Sequence, residues 1–167
     1  MMETVRIAVT YLDRVIDRNF YPTVESSRSN LAWRPIGLGV MGLADVFFKL
    51  GLDFDSTEAQ DLSKRISETI YWAALSVSAD LAERHGTYPN FAQSRLAVTG
   101  EISPDLWGAE TSDLLDWDGL RARLQRVGTR HSLLVAVAPT ATIASIAGCY
   151  ECIEPQVSNL FKRETLS

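Results

Sequence analysis

The residues best placed to do chemistry are Pro139, Thr140, Ala141, Thr142 and Ile143. Leu133 to Ala138 before them are continuously apolar, which reads as a strand buried on both faces. Pro139 has no N–H for a ladder and suits the entry to a turn or a first helical position. Thr140 then serves as N-cap, and the backbone N–H groups of Ala141, Thr142 and Ile143 have no acceptor inside the helix. Aligned peptide dipoles add roughly half a positive charge at that end. A phosphate or diphosphate would be held there by the amides and by the hydroxyls of Thr140 and Thr142. A strand-to-helix turn with a threonine cap and no ligand satisfies the same pattern.

Two further patterns carry possible chemistry. Gly37-Leu38-Gly39-Val40-Met41-Gly42 is a literal G-x-G-x-x-G, which proposes a dinucleotide site with Asp53 or Asp55 on the ribose. That fingerprint must follow a hydrophobic strand, yet Ser29 to Pro35 offers only Leu31, Ala32 and Trp33 before the proline. A helix from about Leu38 to Leu50, with Gly39 and Gly42 as small packing faces, fits the stretch better. Cys149 and Cys152 form a C-x-x-C pair with no second pair or nearby histidine, so zinc is not indicated. A reactive pair needs a thiolate-stabilising environment, and packed or partly exposed thiols are the simpler reading. Glu151 and Glu154 read as loop residues, and His85 beside Gly86 as a helix C-terminus.

The elements that must position these residues follow from periodicity. Residues 3 to 19 read as a helix with Val5, Ala8, Leu12, Val15 and Ile16 on one stripe and Glu3, Arg6, Asp13 and Arg14 away from it. Thr23 to Asn30 reads as a polar surface loop. Asp55, with Glu58 three residues on, predicts a capping box for a long helix. Its stripe runs Ala59, Leu62, Ile66, Ile70, Ala73, Val77 and Leu81, with Gly86 as the stop. Tyr71 and Trp72 on this helix read as packing residues. Residues 87 to 115 are punctuated too often by Pro and Gly for long elements. Asp116 to Gly128 reads as a further helix whose Arg121, Arg123 and Arg126 face solvent, and Thr129-Arg130-His131 leads into the apolar run.

Composition excludes several classes. At 167 residues with 46% hydrophobic content the chain can bury a core of its own. A net charge of -5 without a Lys/Arg cluster argues against a nucleic-acid track. No apolar run approaches the roughly 18 residues of a membrane span, and the start lacks signal-peptide features. The expected compartment is the cytoplasm.

With the motifs in order, the chain resembles a family. RPIGLGVMGLADVFFKLG, the helix carrying ETIYWAAL, SDLLDWDGLRARL, and HSLLVAVAPTATIASIAGCYECIEPQVSNLFKRETLS together resemble the later part of the class I ribonucleotide reductase large subunit. The similarity covers essentially the whole chain, and PTATIAS and the Ile153-Glu154-Pro155 triplet are its most specific pieces. The resemblance implies an α/β, helix-rich fold: part of a ten-stranded α/β barrel of two half-barrels, with residues 1–167 as a partial catalytic barrel domain. It also implies that the turn at Pro139, the amides of Ala141, Thr142 and Ile143, and the hydroxyls of Thr140 and Thr142 bind the substrate diphosphate. Relatives often carry Ser or Thr where Ile143 stands, and some carry Glu at Ala141, so these two positions contribute only backbone.

The activity implied is reduction of ribonucleoside diphosphates to 2′-deoxyribonucleoside diphosphates for DNA synthesis by radical chemistry. The family needs a finger-loop cysteine in an N-x-C-x-E pattern and further redox cysteines. No N-x-C-x-E occurs in this chain, and Cys149 and Cys152 match none of those positions. The N-terminal regulatory region and the C-terminal redox tail are likewise not expected within it. No catalytic residue, metal ligand or cofactor is therefore expected here, and the chain alone is expected to be inactive. The implied partners are the remainder of the large subunit, a small subunit with a metal/radical cofactor, and a thioredoxin- or glutaredoxin-type reductant. The adenosylcobalamin-dependent class II reductases share the IGLGVMG and PT-type pattern. An NAD(P)-binding hydroxyacid dehydrogenase-like domain is the reading of GLGVMG alone. A non-enzymatic helical interaction module or remnant would fold without binding nucleotide. Strand edges and apolar faces cut from a barrel would make the isolated chain poorly soluble or self-associating.

Overall fold

The computed structural model describes residues 1–158, Leu160 and Lys162. In chain order the helices are α1 (Met2–Arg18), α2 (Val24–Trp33), α3 (Leu43–Leu50), α4 (Thr57–His85), α5 (Arg95–Thr99), α6 (Ser103–Trp107), α7 (Trp117–Val127) and α8 (Ala141–Ala147), with a 3₁₀ turn at Phe91–Gln93. Two units cluster separately: Met1–Leu38 with Arg65–Ala136, and Gly39–Lys64 with the described residues from Val137 on. Among the described residues no helix is long and apolar enough to cross a membrane.

The first unit is built on the long helix. Ile70, Ala73, Ala74, Val77 and Leu81 of α4 are buried together with Val5, Val9 and Ile16 of α1 and Trp117, Leu120 and Leu124 of α7. The periodic stripe of α4 thus predicts its packing face, because residues three and four apart share one side of a helix. Gly86 closes α4 in the left-handed region, where a Cβ is disfavoured. Asp116 caps α7 by accepting the Gly119 N–H at 2.8 Å. Tyr71 and Trp72 do pack and tie: the Tyr71 hydroxyl donates to Ser103 Oγ at 3.0 Å, and Trp72 Nε1 donates to the Asp116 carbonyl at 3.2 Å. Residues 87 to 115, punctuated as expected, still wind into two five-residue helices and the 3₁₀ turn.

Several expectations are corrected. The polar stretch from Thr23 is a helix, because Thr23 and Ser26 exchange capping hydrogen bonds and outweigh the loop-like composition. The helix expected from Leu38 begins only at Leu43, since Gly42 at φ +83 cannot continue a helix backwards. Ser56, and not Asp55, caps α4, accepting the Ala59 N–H at 3.2 Å. Val15 of α1 is exposed, whereas Asp13 is buried. Arg121 and Arg123 are not simply solvated. Arg121 makes a two-pronged pair with Asp105 at 2.6 and 2.7 Å, and Arg123 meets Asp80 and Glu83.

The largest correction concerns fold class. The described residues are helical without a strand, and no α/β barrel or part of one is present. The only β pairing among them is a single parallel bridge, Leu38 with Val135. Around it Ile36 N–H donates to Leu133 O at 3.0 Å, Leu38 N–H to Leu134 O at 2.8 Å, and Ala136 N–H to Leu38 O at 3.0 Å. Two short extended segments cannot close a barrel, which needs a continuous ladder with tilt and stagger. The apolar run is also not buried on both faces: Leu134 alone is buried, and Leu133 and the residues from Val135 to Ala138 are exposed.

Candidate functional site

The turn that ends the apolar run belongs to the second unit. Thr140 is the N-cap residue of α8, and its carbonyl accepts the first helical bond from Ala144 N–H at 2.8 Å. Its hydroxyl does not cap the helix. Thr140 Oγ1 instead accepts the Cys152 N–H at 2.8 Å, fastening the loop after α8 to the turn before it. The first-turn amides of Thr142 and Ile143 thus keep no acceptor from their own cap residue. Pro139, Ala141, Thr142 and Ile143 are exposed and Thr140 half-buried, so the turn as a whole faces solvent.

Further bonds hold the returning loop. Gly148 ends α8 in the left-handed region, and Cys149 N–H donates to Ala144 O at 3.1 Å. Tyr150 is gripped on both backbone groups, donating to Asp45 Oδ2 at 2.6 Å and accepting from Gly42 N–H at 2.9 Å. The last glycine of the GLGVMG stretch therefore serves this loop. A Cβ on Gly42 would stand 3.3 Å from Cys149 Cβ, at a φ of +83 that side chains avoid. Gly42→Ala should cost about 1–2 kcal/mol from the left-handed backbone alone. A denaturant midpoint that falls at constant slope would show it. Cys149 is half-buried and Cys152 buried, both as free thiols. No group of three or more His, Cys, Asp or Glu among the described residues could hold a metal ion.

A second polar cluster, in the first unit, has no signature in the linear sequence. Asp13 Oδ1 receives Arg34 Nη2 at 2.7 Å and His131 Nε2 at 3.2 Å, with Arg130 Nε 3.4 Å away. Arg34 also grips Asp17 through two bonds of 2.6 and 2.9 Å. Ser78 Oγ lies 3.0 Å from His131 Nδ1 and accepts the N–H groups of Arg130 and His131. With both lone pairs so used, the Ser78 hydroxyl donates to Nδ1, and Nε2 carries the proton towards Asp13. Serine, histidine and aspartate thus touch in series, as in a nucleophilic triad. A triad serine must meet a substrate, however, and Ser78 is 0% and His131 2% exposed. The cluster is a buried tie between α1, α4 and the two extended segments.

Burial alone would raise the Asp13 carboxyl. Hydrogen bonds from His131 and Arg34, with the Arg34 charge, outweigh it and hold the group well below the carboxylate range. The hydrogen bond from Arg34, followed by opposing desolvation, also leaves Asp17 lowered. A depressed folded-state value means stabilisation that is complete above the unfolded value and lost as pH falls. Stability should hold to about pH 5 and then decline below about pH 4, with Asp13→Asn flattening that decline. Urea titrations across this range would measure it.

Comparison with known proteins agrees with the resemblance. The family model described as "Ribonucleotide reductase, barrel domain" matches residues 1–167. The ribonucleoside-diphosphate reductase large subunit of Variola virus is 46% identical over 167 residues, covering 100% of this chain and 22% of the relative. The large subunit of Caenorhabditis elegans is 45% identical over 100% of the chain and 21% of its own length. The large chain of Schizosaccharomyces pombe is 44% identical over 99% and 20%. The chain spans about a fifth of the length of these relatives. By a family match that runs from its first residue to its last, the chain belongs to the ribonucleotide reductase large-subunit family.

Proposed function

We propose that this chain is the substrate-holding part of a ribonucleoside-diphosphate reductase, and that Pro139, Thr140, Ala141, Thr142 and Ile143 receive the diphosphate of the substrate. The single observation that carries this reading is the exposed first turn of α8, whose cap hydroxyl is turned away to Cys152. The relatives' printed names support a diphosphate substrate and, as large subunits, a smaller partner.

The residues have distinct tasks in this reading. Pro139 sets the turn, the amides of Ala141, Thr142 and Ile143 donate to phosphate oxygens, and the Thr142 hydroxyl adds a side-chain donor. Thr140 contributes the turn's shape as much as its hydroxyl, because that oxygen also holds Cys152. Backbone donors fixed before the substrate arrives cost little reorganisation, which is why such a turn can orient a ligand without lysine. The radical chemistry is assigned to the small subunit's metal/radical cofactor and to large-subunit residues other than Cys149 and Cys152, with a thioredoxin- or glutaredoxin-type protein as reductant.

Reconstitution tests the function. This chain, mixed with a separately expressed polypeptide holding the N-x-C-x-E segment, the small subunit and a reductant, should form deoxyribonucleoside diphosphates. A mixture that neither forms a complex nor makes product would overturn the assignment.

A further inference from the structure

Gly42 is the cap residue of α3 and, lacking a side chain, makes no side-chain cap. Asp45 is the third residue of that helix, a position from which a side chain ordinarily turns back to accept the N–H of the cap residue. Here Tyr150 takes the place of that bond. Gly42 N–H donates to Tyr150 O at 2.9 Å, and Asp45 Oδ2 accepts Tyr150 N–H at 2.6 Å. A residue 105 positions further along the chain thus stands between the two halves of a helix cap. The same loop reaches the turn before α8. Cys149 donates its N–H to Ala144 O at 3.1 Å, and Cys152 donates its N–H to Thr140 Oγ1 at 2.8 Å. Thr140 holds the N-cap position, from which a threonine hydroxyl ordinarily accepts the second or third helical amide, here that of Thr142 or Ile143. Cys152 keeps the hydroxyl off that bond.

We infer that Asp45 is a positioning residue for the diphosphate turn: by fixing Tyr150 it keeps Cys152 on the Thr140 hydroxyl, and so keeps the Thr142 and Ile143 amides open to phosphate. The inference rests on the diphosphate reading and adds to it a residue of α3. A charged oxygen accepts more strongly than a neutral one, which suits Asp45 to hold a backbone N–H at 2.6 Å. With Asp45 shortened to alanine, the Tyr150 N–H loses this acceptor, and Cys152 loses the fixed neighbour two residues before it. The Thr140 hydroxyl then swings back to cap α8. Substrate phosphate would have to displace that cap, because both compete for the same two amides.

The test uses the complete large subunit that contains this chain, as wild type, Asp45→Ala and Asp45→Asn. A fourth form, Tyr71→Phe, loses the Tyr71 to Ser103 bond of the first unit and serves as the control for stability alone. Two quantities are read: hydrogen exchange at the Cys152 amide without ligand, and calorimetric affinity for a ribonucleoside diphosphate. Asp45→Ala should exchange severalfold faster at Cys152 and bind the diphosphate about fivefold more weakly, the cost of displacing a cap bond of ordinary strength. Asp45→Asn, whose amide oxygen still accepts from Tyr150, should restore both quantities, and Tyr71→Phe should change neither. Unaltered affinity or unaltered Cys152 exchange in Asp45→Ala would overturn the proposal while leaving the diphosphate reading in place. An Asp45→Asn form as weak as Asp45→Ala, or equal weakening by Tyr71→Phe, would overturn it too. A wild-type subunit that binds no diphosphate overturns the diphosphate reading itself, and this inference with it.

Discussion

Replacing Asp13 by alanine is expected to destabilise the chain by about 3–5 kcal/mol, the cost of removing one partner from a buried ion pair. The carboxylate is 9% exposed, and its Oδ1 is the point on which Arg34, Arg130 and His131 converge. Without it, His131 Nε2 loses its acceptor in a fully buried position. Arg34 keeps Asp17, but that carboxylate is half exposed and offers a more screened partner. Asp13→Asn should cost less, since an amide oxygen still accepts from Arg34 or His131 while the charge is gone. Chemical denaturation of the three proteins would measure the order. Equal stability of wild type and Asp13→Ala would remove the cluster from any account of the fold.

The second large effect separates the two threonines of the turn. Thr142→Val removes an exposed hydroxyl and should leave the unfolding midpoint in place. If that hydroxyl donates to a phosphate oxygen, the variant loses a charge-assisted hydrogen bond worth about 1.5–3 kcal/mol, or roughly tenfold to a hundredfold in diphosphate affinity. Thr140→Val should behave differently. It leaves the Cys152 N–H without its acceptor, so it should lower stability by about 1 kcal/mol as well as weaken binding. Calorimetric titration of a ribonucleoside diphosphate into the complete subunit, beside thermal melts, would separate the two. Identical effects of both variants on both quantities would contradict the division of labour.

Local pattern gave the helices with strong periodicity and missed what depends on distant partners. The stripe on α4, its stop at Gly86 and the cap at Asp116 follow from residue spacing and from side chains that reach their own backbone. Asp13 looked like a solvated charge because helix periodicity shows only which face it lies on. Its partners Arg34 and His131 stand 21 and 118 residues away. Arg34 is doubly hidden, since it closes α2 in the left-handed region at φ +46, where glycine or asparagine is the usual signal. Its guanidinium explains the departure: a glycine there would end the helix more cheaply but could not reach Asp13 and Asp17.

The apolar run shows the opposite failure. Six uncharged residues before a proline read as a sheet strand buried on both faces, and the structure gives the run one bridge and one buried residue, because a strand needs neighbours that sequence pattern cannot supply. At the turn, the cap position of Thr140 was legible. The direction of its hydroxyl was not, because the Cys152 amide that draws it arrives twelve residues later. GLGVMG reads best as helix with Gly39 and Gly42 as small packing faces; Gly42 instead stands at the cap before α3, where its close neighbour is Cys149.

The most direct measurement is the backbone amide spectrum of this chain during titration with a ribonucleoside diphosphate, and in parallel with the ribonucleoside lacking phosphate. The diphosphate should shift the amide resonances of Ala141, Thr142 and Ile143 saturably, the nucleoside should not, and Thr142→Val should weaken the response. Saturable shifts that leave these three amides untouched and fall elsewhere would contradict the site.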